Sequence, residues 1–178
     1  MKVSVVMTTY NGKRFIKEML DSLRNQTRSI DELLIYDDQS TDGTPQFIEE
    51  YIEKYALTGW NVIVNDTNLG WEKNFLQGLS NASGDVIYPC DQDDIWHLDK
   101  IEKMTLAFEE NPQILLLVSG FHAFSEYGGK MIVQQPVKTE TGSMVSKVVF
   151  NEHYYQILRP GCTMAFRKEL LPPFLENW

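Results

Sequence analysis

Positive charge, cysteine and long apolar runs are all scarce in this chain, and each scarcity removes a class of function. Lys and Arg number 16 against 25 Asp and Glu, a formal charge of -9 over 178 residues. No basic stripe offsets that balance, which argues against nonspecific nucleic-acid binding. An anionic substrate would meet an unfavourable field, so a metal ion would have to supply the missing positive charge. Cys90 and Cys162 are the only cysteines, and nothing in their spacing suggests a ligand pair. Two free thiols in a reducing cytosol are expected, with one disulfide as the alternative. The longest apolar stretch of the second half, Ile114 to Val118, is far short of a membrane span. Met1 to Met7 is apolar but too short for a signal sequence, and no small-residue cleavage site follows it. A soluble chain is expected.

Two cofactor signatures are missing as well. The turn after the first apolar run carries neither the GxGxxG spacing of a dinucleotide fold nor the GxxxxGK[ST] of a P-loop. What remains is ordinary globular material. Hydrophobic residues make up 43% and aromatics 12%, which excludes disorder. A chain of this length fits one domain and buries roughly 70% of its unfolded surface.

Strand-like and helix-like patterns alternate through the first two thirds. Val3 to Met7 is a short β-branched run suited to a strand buried on both faces. Phe15, Ile16, Met19, Leu20 and Leu23 then form one helical stripe. Leu33 to Tyr36 reads as the second strand, followed by a helix with Thr44 as N-cap and Pro45 at its first position. Val62 to Val64, Asp85 to Pro89 and Leu115 to Phe124 are further strands. Trp71 to Leu79 and the segment opened by an Asp99/Glu102 capping box are further helices. This order demands a mostly parallel central sheet flanked by helices, an α/β fold of Rossmann-like type. From Glu126 the rhythm changes: Gly128-Gly129 suggests a hairpin, 139–142 a loop, and Val145 to Phe150 is strand or helix. Met164 to Phe166 reads as a last strand, before a helix begun near Lys168.

In such sheets ligands bind beyond the carboxyl ends of the strands, and the polar clusters sit there. Asp91-Gln92-Asp93-Asp94 follows the fourth strand. Three carboxylates so close repel one another unless a cation or donor network offsets them, and all-oxygen ligation suits Mg²⁺ or Mn²⁺. The bland reading is a solvated acidic turn. A second acidic pair, Asp37-Asp38, ends the second strand, and an Asp there can accept a charge-assisted bond from the imide N–H of uracil or thymine. Asp42-Gly43 reads as the structural turn before the helix. Thr8-Thr9-Tyr10-Asn11-Gly12 can hold a phosphate or a base edge at a helix start, or simply cap that helix.

Thr8-Thr9-Tyr10-Asn11, Asp37-Asp38-x-Ser40-x-Asp42-Gly43-Thr44, Asn68-x-Gly70 and Asp91-x-Asp93-Asp94-x-Trp96 come in an order and spacing that resembles the family 2 glycosyltransferases, across nearly the whole chain. Asp91-Gln92-Asp93-Asp94-Ile95-Trp96 and Gly161-Cys162-Thr163-Met164-Ala165-Phe166 look most like bacterial members that transfer rhamnose and related surface sugars. The resemblance implies a GT-A fold over 1–178, with a nucleotide-sugar-binding part at about 1–125 and the start of an acceptor-side part at about 126–178. It implies that Thr8, Thr9, Tyr10, Asn11, Asp38, Gly70, Lys73 and Gln92 hold a UDP- or dTDP-sugar, Asp38 reading the pyrimidine. Asp91 and Asp93 would hold Mn²⁺ or Mg²⁺ on the diphosphate, with Asp94, Gly161 and Cys162 either touching the sugar or supporting the metal ligands from behind. Lys73 reads equally as a solvated helix charge. The acceptor would be a glycan, lipid-linked sugar or protein, and the place of work the cytoplasm, with peripheral association at the inner membrane face.

Glycosyl transfer also needs a general base to take the acceptor's proton. The resemblance places that carboxylate downstream of Phe166, yet no Asp occurs after Asp99. Glu152, Glu169 and Glu176 do not match the motif, and His153 suits a loop or acceptor wall better. Leu170 to Trp178 stops amid apolar residues, so a C-terminally truncated chain is expected, one that binds donor with little or no transfer. Three rivals stay open: a sugar-1-phosphate nucleotidyltransferase, a phosphoryl-receiver domain, and a non-catalytic nucleotide-sugar-binding module. Thr9-Tyr10-Asn11-Gly12-Lys13-Arg14 is a poor triphosphate loop, and a receiver's acidic pair follows its first strand, not its second.

Overall fold

A computed structural model describes residues 1–121, 145 and 161–176. The chain runs β1 (Val3–Thr9), α1 (Ile16–Arg24), β2 (Glu32–Asp37), α2 (Thr44–Lys54), β3 (Trp60–Val64), α3 (Trp71–Asn81), β4 (Val86–Asp91), α4 (Lys100–Glu110), β5 (Leu116–Val118), β6 (Met164–Arg167) and α5 (Leu171–Glu176). One six-stranded sheet has the order β3-β2-β1-β4-β6-β5. The first four strands pair in parallel, and β6 runs antiparallel to both β4 and β5. This is the expected α/β architecture with a mostly parallel sheet.

Strand alternation divides the core in two. Val3, Val5 and Met7 of β1, Leu33 and Ile35 of β2, and Val86, Tyr88 and Cys90 of β4 face α1, α2 and α4. The alternate residues Val6, Leu34, Tyr36 and Ile87 face α3 and α5. β1 is buried nearly throughout, because it is paired on both edges and covered on both faces. Each such Val or Leu contributes about 1.5–3 kcal/mol by burial. On the second face α3 lies close against the sheet: a Cβ on Gly78 would sit 2.5 Å from Val6 Cγ1. Pro89 is tolerated within β4 because the ladder to β6 ends at Ile87.

Several local expectations need correction. Gly43, not Thr44, is the N-cap of α2, with a left-handed φ of 87° that favours glycine. Thr44 is instead wholly buried and accepts the Gly12 N–H at 3.0 Å. The Asp99/Glu102 capping box does not form. Asp99 makes no side-chain cap bond, its carboxylate pairs with Lys103 at 2.6 Å, and Glu102 accepts the Thr27 hydroxyl at 2.8 Å. β5 covers only Leu116–Val118 and ends before Ser119, while 122–124 of the expected strand lie outside the described residues. A single turn of 3-10 helix over Lys168–Leu170 precedes α5. The readings of Gly128-Gly129, 139–142, Val145 to Phe150 (Val145 apart), Glu152 and His153 lie outside the described residues.

Candidate functional site

Parallel pairing brings the polar turns to one edge by register alone. Thr8 stands between Tyr36 of β2 and Asp91 of β4, and Thr9 pairs with Asp37. Beyond these carboxyl ends opens a cleft of about 350 Å³, lined by Thr8, Thr9, Tyr10, Asp38, Asn68, Gly70, Trp71, Asn74, Asp91, Gln92 and Asp93. Most of the expected site residues therefore converge. Lys73 and Asn11 do not line it. Lys73 is exposed on α3. Asn11, held at a left-handed φ of 49°, accepts the Thr41 N–H at 2.9 Å and so shapes the turn.

The two acidic residues that end β2 differ in task. Asp37 is fully buried and accepts Thr9 Oγ1 at 2.7 Å, Ser40 N at 2.7 Å and Ser40 Oγ at 2.6 Å. It is structural. Asp38 lines the cleft, and its carboxylate organises the segment that leads into α3. Its Oδ1 accepts Leu69 N at 2.7 Å and Asn65 Nδ2 at 3.0 Å, and its Oδ2 accepts Gly70 N at 2.9 Å. Asp42 is structural, as its turn suggested. It accepts Thr44 N and Lys13 N, each at 3.0 Å. Burial alone would raise its pKa, but those donors and the Thr44 hydroxyl outweigh it and leave the carboxyl below its ordinary value.

The acidic turn after β4 is crowded. Burial, then the Asp94 and Asp93 charges, push Asp91 up to about 6. Asp94 is raised too, chiefly by burial, although a hydrogen bond from Cys162 opposes this. One ligand atom from each of Asp91, Asp94 and Cys162 lies within 4.8 Å of the others. The Cys162 thiol is pushed up to about 12 by burial and the Asp94 charge, and it donates a hydrogen bond to Asp94. Asp93 is exposed at the rim. Clustered carboxylate oxygens on a shared turn fit a hard divalent cation. Gly161 and Cys162 stand beside this turn, not in the cleft lining.

Sequence reasoning missed four residues of the site. Asn74 lines the cleft and is almost wholly buried, donating to Tyr36 O at 2.8 Å. It accepts Asn65 Nδ2 at 2.8 Å, so the two asparagines hold Asp38 from below. An amide on the sheet-facing side of α3, one turn before Gly78, was the available signal. Trp71 lines the cleft mouth while 66% exposed; an exposed aromatic is conspicuous only once the cleft is seen. Lys100 lies over the Trp96 ring at 3.7 Å and donates to the Cys162 carbonyl, tying 161–163 to α4. Burial lowers it to about 8. Nothing in the sequence brings Lys100 to Cys162.

Comparisons agree with this fold. The abequosyltransferase RfbV of Salmonella typhimurium is 32% identical over 65% of this chain and 35% of its own length. The dTDP-rhamnosyl transferase RfbG of Shigella flexneri is 31% identical over 94% of this chain and 56% of its own. The Staphylococcus aureus TarS 1-349 structure in complex with UDP-GlcNAc superposes with a TM-score of 0.79 at 25% identity, covering 98% of this chain and 47% of that one. The chain thus spans about half the length, or less, of these relatives. Residues 4–172 match the model of "Glycosyl transferase family 2", and the chain belongs to that family.

Proposed function

We propose that this chain is the donor-binding part of a metal-dependent, inverting glycosyltransferase that takes a UDP- or dTDP-linked sugar and passes it to a glycan or lipid-linked acceptor in surface-polysaccharide synthesis. One observation carries the reading: Thr8 to Tyr10, Asp38 and the Asp91/Asp93 pair, from three strand ends, line a single cleft. The names of RfbG and TarS support the donor class, one being a dTDP-rhamnosyl transferase and the other solved with UDP-GlcNAc. Among the described residues no helix is long and apolar enough to cross a membrane.

Each wall of the cleft has its own task. Tyr10 and Trp71 offer flat apolar faces at the mouth for a base or sugar ring. Asp38 accepts an imide N–H. The Thr8 and Thr9 hydroxyls and the turn after β1 lie where ribose or phosphate would pass. Asp91 and Asp93 would hold Mn²⁺ or Mg²⁺, with Asp94 supporting the turn. A bound divalent ion supplies Lewis acidity to the nucleoside diphosphate leaving group. Cys162, tied to Asp94, sets the wall beside the turn, where the transferred sugar would lie.

Calorimetric titration with UDP, dTDP and GDP, each with and without Mn²⁺, tests the proposal. Binding of the pyrimidine diphosphates only with Mn²⁺, lost in Asp93→Ala, is expected. Binding of GDP alone, or metal-independent binding indifferent to Asp93→Ala, contradicts it.

A further inference from the structure

We infer that Asn65, a buried residue behind the cleft, determines which base Asp38 accepts. The inference rests on the donor-binding reading above and adds a residue that acts only through another. A carboxylate offers four acceptor positions, two on each oxygen. In Asp38, Oδ1 already takes two donors, Leu69 N at 2.7 Å and Asn65 Nδ2 at 3.0 Å, while Oδ2 takes one, Gly70 N at 2.9 Å. Oδ1 is thereby filled and Oδ2 keeps one position. Uracil and thymine present a single N–H on that edge, between two carbonyls. Guanine presents two adjacent donors, N1–H and the N2 amine, which pair with a carboxylate by using both oxygens. With Oδ1 filled, Asp38 can serve a lone imide through Oδ2 but cannot serve guanine's pair, whose second donor would be desolvated without a partner.

Asn65 is fixed in this task from two sides. Its backbone N–H donates to Asp37 O at 2.9 Å. Its amide nitrogen divides its two protons between Asp38 Oδ1 and Asn74 Oδ1, the latter at 2.8 Å. Asn74 is in turn held by donating to Tyr36 O at 2.8 Å. Both asparagines are buried, so neither amide can turn away to water without leaving a partner unpaired. The Leu69 and Gly70 donors are backbone and fixed by the turn; Asn65 supplies the removable one. Removing it leaves one open position on each Asp38 oxygen, the pattern that guanine needs.

The test compares UDP and GDP affinities, by calorimetry in Mn²⁺, for the full chain and for Asn65→Ser, whose hydroxyl is too short to fill Asp38 Oδ1. The ratio of the GDP to the UDP dissociation constant should fall by at least about tenfold, the gain from pairing one otherwise unmatched donor. A purely structural role would weaken both nucleotides alike and leave the ratio unchanged, and that result overturns the inference. Should Asn65→Ser fail to fold, Asn65→Leu, which keeps the side-chain volume but has no donor for Asp38 Oδ1, must move the ratio the same way, and an unchanged ratio there overturns it equally. A wild-type chain that binds neither diphosphate defeats the donor-binding reading itself. UDP binding by the wild type with an unmoved ratio in the variants defeats only the role of Asn65.

Discussion

Gln92 holds Tyr10 by both of its backbone groups: Tyr10 N donates to Gln92 Oε1 at 2.9 Å, and Gln92 Nε2 donates to Tyr10 O at 3.1 Å. This clasp joins the turn after β1 to the acidic turn after β4 and sets the spacing of two walls of the cleft. It also explains Gly12, where a Cβ would lie 2.0 Å from Gln92 Oε1; the position needs empty space rather than an unusual backbone angle.

Gln92→Ala should therefore cost more in binding than in stability. Tyr10 is half exposed, so water replaces the lost bonds and unfolding shifts by only about 1 kcal/mol. UDP affinity in Mn²⁺ should fall by about tenfold, near 1.4 kcal/mol, as the walls lose their registration. Gly12→Ala, which displaces the same amide, should reproduce the effect. Calorimetry beside thermal melts checks both, and unaltered affinity in the pair would remove the clasp from the site.

Gly70 adopts φ 84° and ψ 154° as the N-cap of α3, a region that essentially only glycine occupies. A Cβ there would meet nothing within 4 Å, so Gly70→Ala isolates backbone strain from steric clash. A loss of about 1–3 kcal/mol in urea unfolding is expected. Because Gly70 N donates to Asp38 Oδ2, UDP binding should weaken as well. A neutral substitution would mean that this turn relaxes freely and does not position Asp38.

Much of this was legible in the sequence, for a reason visible in β1 and β2. Their apolar runs are buried on both faces, and a parallel ladder then forces Thr8, Asp37 and Asp91 to one edge whatever the loops do. Asp38 and the Asp91/Asp93 turn could be found because strand ends are where such sheets present ligands. Asn65 and Lys100 could not, since their partners are 27 and 62 positions away and each bond is made by tertiary placement. The Asp99/Glu102 box failed for a similar reason. Lys103 and Thr27 offered those carboxylates better partners than the helix's own N–H groups. Lys73 carried the right charge in the right segment, but α3 turns it outward, because Asn74 and Gly78 occupy the inward face.

Cys162 should resist alkylation despite its partial exposure. Burial, the Asp94 charge and the hydrogen bond to Asp94 together push its thiol to about 12. At pH about 8 only one thiol in about ten thousand is then ionised. Asp94→Asn removes the charge and should speed iodoacetamide labelling of Cys162 by an order of magnitude or more. Cys90, wholly enclosed, should stay unlabelled in both proteins and serves as the internal control. Mass mapping of the labelled peptides reads the result; equal Cys162 rates in the two proteins would show that Asp94 does not restrain the thiol.

Asp21 joins α1 to α2 and gives the fold an acid-sensitive contact remote from the cleft. Its carboxylate accepts Lys17 Nζ at 2.6 Å and Tyr51 Oη at 2.6 Å. The Lys17 bond, then the Tyr51 bond, hold it below its ordinary value of 3.8, against the opposing effect of burial. A carboxyl lowered on folding adds stability that is complete above the unfolded value and is lost as pH falls through the folded one. Tyr51→Phe removes one of three donors, Lys17 and, at 3.4 Å, Arg24 Nη2 remaining, and keeps the ring, which packs on Tyr55 at 4.7 Å. It should cost about 1 kcal/mol at neutral pH, the low end for a bond to a charged group, because Asp21 is partly open to water. The difference between wild type and variant should narrow once the solution is acid enough to protonate Asp21 in the folded protein, below 3.8. Urea unfolding at neutral pH and at successive acid values measures it. A difference that stays constant through that range would mean that the tyrosine stabilises α2 by packing alone, with no contribution from the charge of Asp21.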